Sequence, residues 1–178
     1  MLADLPDVEL AALGTREAFE VLFHRHRNPV YQFIARQIFD RPLAEDVFQT
    51  VFLKAFRGLK SFRGSSGFRT WLFTIASNAV ADERRRPRPA VALPEEIEGP
   101  AAPQRRGREA EDVSQLIRRV IESLPERHRQ LFLLVRFHEM RIAEAAQIVG
   151  FTPGSAKVTL CRIQEQLGNH LKSLGVLL

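Results

Sequence analysis

Ten consecutive residues, Phe62-Arg63-Gly64-Ser65-Ser66-Gly67-Phe68-Arg69-Thr70-Trp71, bring three aromatic rings and two guanidinium groups into one Gly/Ser-containing stretch. Aromatic faces stack on nucleobases, guanidinium groups pair with phosphates, and a Gly/Ser backbone can fold around an extruded base. This is chemistry suited to holding a single nucleic-acid strand. Phe62, Arg63, Phe68 and Arg69 are the candidates in the loop. Thr74, Asn78 and Arg85 follow on or beside one polar face of the next helix, together with Thr70 and Ser77. The rings also begin an apolar stripe, so burial is the alternative for each, and the one that the position of Trp71 favours.

Two other sets could make intermolecular contacts. Asp46, Gln49, Thr50 and Leu53 recur at i, i+3, i+4 and i+7, with Glu45 beside them. On a helix they share one outward face, where a leucine among polar groups suits a protein partner. Near the other end, Ser155, Lys157, Val158, Thr159 and Arg162 line one side of a helix opened by Thr152-Pro153-Gly154. Small polar and basic side chains there can reach base edges or phosphates in a major groove, and free N–H groups near Thr152 and Gly154 suit a phosphate. An ordinary helical hairpin with a solvated face has the same spacing.

Helices must carry these faces. Phe19, Leu22, Phe23, Val30, Phe33 and Ile34 keep helical spacing from Thr15 to Ile38, interrupted by Asn28-Pro29, which predicts two helices meeting there or one kinked helix. A helix from about Leu43 to Leu59 turns Leu43, Val47, Phe48, Val51, Phe52, Ala55, Phe56 and Leu59 inward. After the loop, Phe68, Leu72, Ile75, Ala76 and Ala79 mark a helix ending near Arg86. Residues 87–112 are crowded with Pro, Ala, Gly and charge and predict a flexible tether. Helical periodicity resumes at Val113 and continues through Leu124; Pro125 opens another helix. A short one over Ile142 to Val149 stops at Gly150, and Thr152-Pro153 caps and starts the next. This is a helix-turn-helix arrangement. Alternating strand patterns bounded by turns do not occur.

The stretch AEDVFQ, followed by the Phe62–Trp71 loop and WLFTIASNAVADERRR, resembles region 2 of bacterial sigma factors of the sigma-70 family, in the small two-domain group called extracytoplasmic-function sigma factors. SLPERHRQLFLLVRF with RIAEAAQIVGFTPGSAKVTLCRIQEQL resembles their region 4. The resemblance implies an all-α protein of two small helical domains: an extension over 1–14, region 2 over 15–86, a linker over 87–112, region 4 over 113–171 and a tail over 172–178. It implies that the helix carrying AEDVFQ binds the β′ clamp helices of RNA polymerase core through Asp46 and Gln49, with Glu45, Thr50 and Leu53 the further core-binding candidates on or beside that face, and a further contact to the β flap. It implies recognition and melting of the promoter −10 element by region 2 and binding of the −35 element by region 4. An anti-sigma factor is an expected partner. Where the family usually has Thr-Val-Lys-Ser-Arg at the start of the recognition helix, this chain has Ser155-Ala156-Lys157-Val158-Thr159.

Composition sets the outer limits. Net charge is +5, with basic excess before residue 87 and after residue 112, and an acidic connector between. That balance favours a polyanionic partner. A single cysteine, Cys161, fits a reducing compartment. The first ten residues lack the basic region and apolar core of a signal peptide, and no apolar run approaches a membrane span, so the chain reads as cytoplasmic without direct membrane contact. Five scattered histidines make no metal site, there is no phosphate-binding GxxxxGK[ST] loop, and neighbouring carboxylates fall on different helix faces. Neither cofactor nor enzymatic activity is expected. The reading is a factor that directs polymerase to promoters; the alternative is a stand-alone helix-turn-helix repressor or activator whose N-terminal block dimerises or senses an effector.

Overall fold

A computed structural model of the chain describes residues 2–64, 66–86 and 119–173. The tether assigned to 87–112, the start of the following helical stripe and the end of the tail lie outside the described residues. Within them all regular structure is helical.

Helix α1 (Asp7–Leu13) is short and ends on Gly14, whose positive φ of 62° suits a residue without a Cβ. Helix α2 (Arg16–Ala35) starts where the Thr15 side chain accepts the backbone N–H of Ala18. It runs through Pro29 as one helix, so the two-helix alternative is overturned. A proline inside a helix removes a hydrogen bond and costs about 3 kcal/mol. The continuous stripe Leu22, His26, Val30, Phe33 and Ile34 is buried on both sides of the proline and holds the helix together.

Helix α3 (Arg41–Gly58) is capped by Asp40, whose carboxylate accepts Leu43 N–H at 3.0 Å, and continues into a 3-10 turn over Leu59–Ser61. Its buried side is Ala44, Val47, Val51, Phe52 and Ala55. Phe56, expected inside, is 46 % exposed. Helix α4 (Phe68–Arg85) packs on α2 and α3 through Phe68, Leu72, Phe73, Ala76, Ala79 and Val80. In the second group, α5 (Glu126–Arg136), α6 (Ile142–Val149) and α7 (Pro153–Ser173) pack on one another through Leu131, Leu134, Ala145, Ala146, Ala156, Leu160 and Ile163.

The two groups share one apolar core, and the seam between them is specific. Gln130 and Ser77, both under 5 % exposed, exchange hydrogen bonds: Ser77 Oγ donates to Gln130 Oε1 at 2.5 Å and Gln130 Nε2 to the Ser77 carbonyl at 3.2 Å. The turn after α5 inserts His138 between the Phe33 and Phe73 rings at 5.8 and 5.2 Å. Arg36 lies 4.2 Å over the Phe137 ring, a cation–π contact across the seam.

Candidate nucleic-acid and polymerase interface

On α3 the polar face expected outside is outside. Val47, Val51 and Ala55 point into the core, while Glu45, Asp46, Gln49, Thr50 and Leu53 are all exposed on the outer side, Leu53 at 55 %. Glu45 is paired with Arg41 at 3.0 Å across one helical turn. Beside this face, Phe19, Phe23, Phe48, Gln49, Phe52, Leu53 and Phe56 line an open, largely apolar cleft of about 400 Å³ between α2 and α3. Its rings meet edge to face, with Phe23–Phe52 at 4.8 Å and Phe19–Phe56 at 5.0 Å. The cleft was not foreseen; helical spacing counted Phe56 as core, and its outward turn is the signal the periodicity concealed.

In the loop, the aromatic residues divide. Phe68 is 2 % exposed and enclosed by His26, Phe62 and Trp71, so it is a core residue, not a ring available to a base. Phe62 and Trp71, both partly exposed, meet at a tilt with ring centroids 5.3 Å apart and border the loop. Arg63 is exposed. The Arg69 guanidinium donates to the His138 carbonyl, which ties it to the seam in this arrangement.

The polar face of α4 is likewise split. Asn78 and Arg85 are exposed, with Arg85 3.8 Å from Asp82, and Thr74 is half-buried with its hydroxyl donating to the Thr70 carbonyl at 2.9 Å. Thr70 and Ser77 are buried, the latter under Gln130. They belonged to the open polar face by helical spacing. For Ser77 the covering residue, Gln130, lies 53 residues further on, beyond the reach of local patterning.

The second group builds a helix-turn-helix. Gly150 ends α6 with φ 70°, and Thr152 caps α7, its Oγ1 accepting Ser155 N–H at 3.1 Å. Arg127 braces the turn: Nε donates to the Val149 carbonyl at 2.7 Å, Nη2 to the Gly150 carbonyl, and the guanidinium lies 4.6 Å over the Phe151 ring. Ala156, Leu160 and Ile163 face inward, leaving Thr152, Gly154, Ser155, Lys157, Val158 and Arg162 exposed and Thr159 half-buried. Cys161 is exposed beside Glu165. Among the described residues no group of His, Cys, Asp or Glu could hold a metal ion.

Two family models match this chain: sigma-70 region 2 over residues 22–89 and sigma-70 region 4 over residues 114–167. The ECF RNA polymerase sigma-E factor of Escherichia coli (strain K12) is 32 % identical over 185 aligned positions, covering 97 % of this chain and 96 % of that one. The chain belongs to the sigma-70 family, in its extracytoplasmic-function group. It is accordingly a sigma factor, a protein that binds RNA polymerase for promoter recognition and initiation. The RNA polymerase sigma-H factor of Pseudomonas aeruginosa is 28 % identical over 183 positions, with 94 % and 93 % covered. The same fold occurs in CnrH, solved in complex with the cytosolic domain of CnrY, at TM-score 0.72 and 23 % identity over 94 % of this chain and 97 % of that one. It occurs again in the sigma factor RpoE of Bartonella quintana, solved with the anti-sigma factor NepR, at TM-score 0.69 and 22 % identity over 86 % and 96 %. In this sigma factor the region-2 match takes in α3, the aromatic loop and α4. The region-4 match takes in the helix-turn-helix. Residues 2–21 lie before either match.

Proposed function

We propose that residues 15–86 of this sigma factor dock on core polymerase and capture the opened −10 strand, that residues 113–171 hold the −35 duplex, and that 87–112 link them. The observation that carries the reading is the segregation on α3. Val47, Val51 and Ala55 anchor the helix, and Glu45, Asp46, Gln49, Thr50 and Leu53 are exposed together for a protein partner. The partner at that face is the pair of β′ clamp helices, with the β flap contacting the second group.

For the strand, Arg63, Phe62 and the exposed edge of Trp71 offer a stacking and phosphate-pairing corner, continued by Thr74, Asn78 and Arg85. Stacking one base on an aromatic ring is worth about 1–3 kcal/mol, enough to offset the few kcal/mol of unstacking one nucleotide. Melting then proceeds by strand capture on a non-catalytic scaffold. Arg69 and Ser77, held by His138 and Gln130, join that surface only when the seam parts. For the duplex, Ser155, Lys157, Val158, Thr159 and Arg162 face the groove, and Thr152 and Gly154 approach a phosphate.

An anti-sigma factor is proposed as a regulatory partner, supported by the exposed aromatic cleft of α2 and α3, which suits an apolar helix face. Among the described residues no helix is long and apolar enough to cross a membrane, and cytoplasmic action is part of the proposal. Run-off transcription of genomic fragments with core polymerase tests it. Promoter-specific starts appear only with the protein added; tight binding to palindromic sites without polymerase would favour the repressor alternative instead.

A further inference from the structure

The N-terminal segment lies outside the region-2 match, yet it is tied to the body more firmly than a dangling extension. Leu10 and Ala11 are 0 % and 3 % exposed in the core. Arg25 on α2 gathers the segment before α1, which starts with a 3-10 turn over Leu2–Asp4: Nη1 donates to the Leu5 carbonyl at 2.8 Å and to Asp7 Oδ1 at 2.7 Å, and Nη2 to the Ala3 carbonyl at 2.5 Å. The other Asp7 oxygen lies 2.6 Å from His26 Nε2. A carboxylate shared by two partners is the strong class of polar contact, and it fixes where α1 begins. His26 in turn packs at 5.4 Å against Phe68, the ring on which Phe62 and Trp71 rest.

So fixed, α1 meets the loop. Val8, one residue beyond the clip, is 45 % exposed, and its Cγ1 lies 3.6 Å from where a Cβ on Gly64 would stand. Gly64 is the turning point of the loop, with φ +68°. We propose that segment 2–13 is a working part of the strand-capture site, in which Val8 is a positioning residue that backs the Gly64 turn and Asp7 is the clip that holds Val8 there. This rests on the strand-capture reading of the Phe62–Trp71 loop. The ligand is an unpaired DNA base extruded from the nontemplate strand. Val8 acts on it through Gly64, by backing the turn on which the loop reverses.

The test uses the full chain bound to core polymerase and −10 single-stranded oligonucleotides that carry either a base or an abasic residue at each position in turn. Fluorescence anisotropy gives the ratio of the two affinities. At the captured position the unaltered protein favours the base by roughly 5- to 150-fold, the range one stacked base supports. Val8→Ala and Asp7→Asn are expected to reduce that ratio at least about threefold, with affinity for the abasic strand and for core unchanged, and Val8→Ile to retain it. A wild-type ratio in Val8→Ala overturns the inference, as does an equal loss on base and abasic strands, which would be general destabilisation. If the unaltered protein shows no base preference at any position, the strand-capture reading fails and the inference with it.

Discussion

The Ser77–Gln130 pair gives the sharpest energetic handle on the seam between the two helical groups. Gln130→Ala removes the amide that accepts Ser77 Oγ–H at 2.5 Å and donates to the Ser77 carbonyl at 3.2 Å, along with a longer contact to Glu126 at 3.4 Å. Both partners are under 5 % exposed, so water does not simply replace the lost bonds. The Ser77 hydroxyl can turn to a carbonyl of its own helix, one turn back, which moderates the loss. A buried polar group left unpaired costs about 1–3 kcal/mol, and the same range applies to Ser77→Ala, which leaves Gln130 Oε1 without its donor while the bond from Nε2 to the backbone carbonyl stays. Replacing both at once, as Ser77→Ala with Gln130→Ala, removes the polar groups together and is expected to cost less than the sum of the single changes. Urea unfolding of the full chain, followed by probes in each group, should therefore show a coupling of about 1–3 kcal/mol in the double-mutant cycle. Additivity within about 0.5 kcal/mol would mean that the two side chains do not meet, and would refute the seam described here.

Other outcomes follow from the same structure. Asp46→Arg with Gln49→Ala alters only exposed positions, so stability should stay within about 0.5 kcal/mol while core binding, measured by anisotropy, falls at least about tenfold; intact binding would remove α3 from the interface. Burial, with the Arg69 and Arg36 charges adding to it, lowers the His138 pKa to about 4, against about 6.5 in an unfolded chain. Between those values the unfolded state binds the extra proton, so the stability His138 contributes is complete above pH 6.5 and declines as pH falls toward 4, by at most about 1.4 kcal/mol per pH unit. His138→Gln should flatten that part of a urea-midpoint profile, and superimposable profiles would contradict it. Gly150→Ala forces an alanine into a left-handed conformation at about 1–2 kcal/mol. It also sets a Cβ 2.7 Å from Arg127 Nη2, so Tm should drop and −35-dependent initiation with it. Arg162→Ala should weaken −35-dependent initiation by about 1–3 kcal/mol if it reads a base, with no change in core affinity.

Local signals made the helix-turn-helix legible: Gly150 in its left-handed turn and Thr152 capping α7 are instructions of one or two residues, and the α6 boundaries follow from them. The outward face of α3 was equally readable, because amphipathic spacing needs no knowledge of the rest of the chain. Other features depend on remote packing. Pro29 reads as a break until the buried stripe from Leu22 to Ile34 is seen to run past it. Phe68 and Phe62 are the same residue type in the same loop, and remote packing, the His26 ring against Phe68 among it, separates the one in the core from the one at its edge. Ser77 and Thr70 carry the pattern of an exposed face, yet both are buried, Ser77 under Gln130 of α5. The seating of the N-terminal segment depends on Arg25 and Asp7, a side-chain pair eighteen residues apart that no periodicity marks.

The most direct measurement compares the affinity of the protein–core complex for a promoter fragment opened at the −10 region with its affinity for the same fragment fully paired. The account predicts that the complex favours the opened fragment by at least about tenfold, one stacked base being worth 1–3 kcal/mol, and that core alone does not. Equal affinity for the two templates, or no association with core at all, would contradict it.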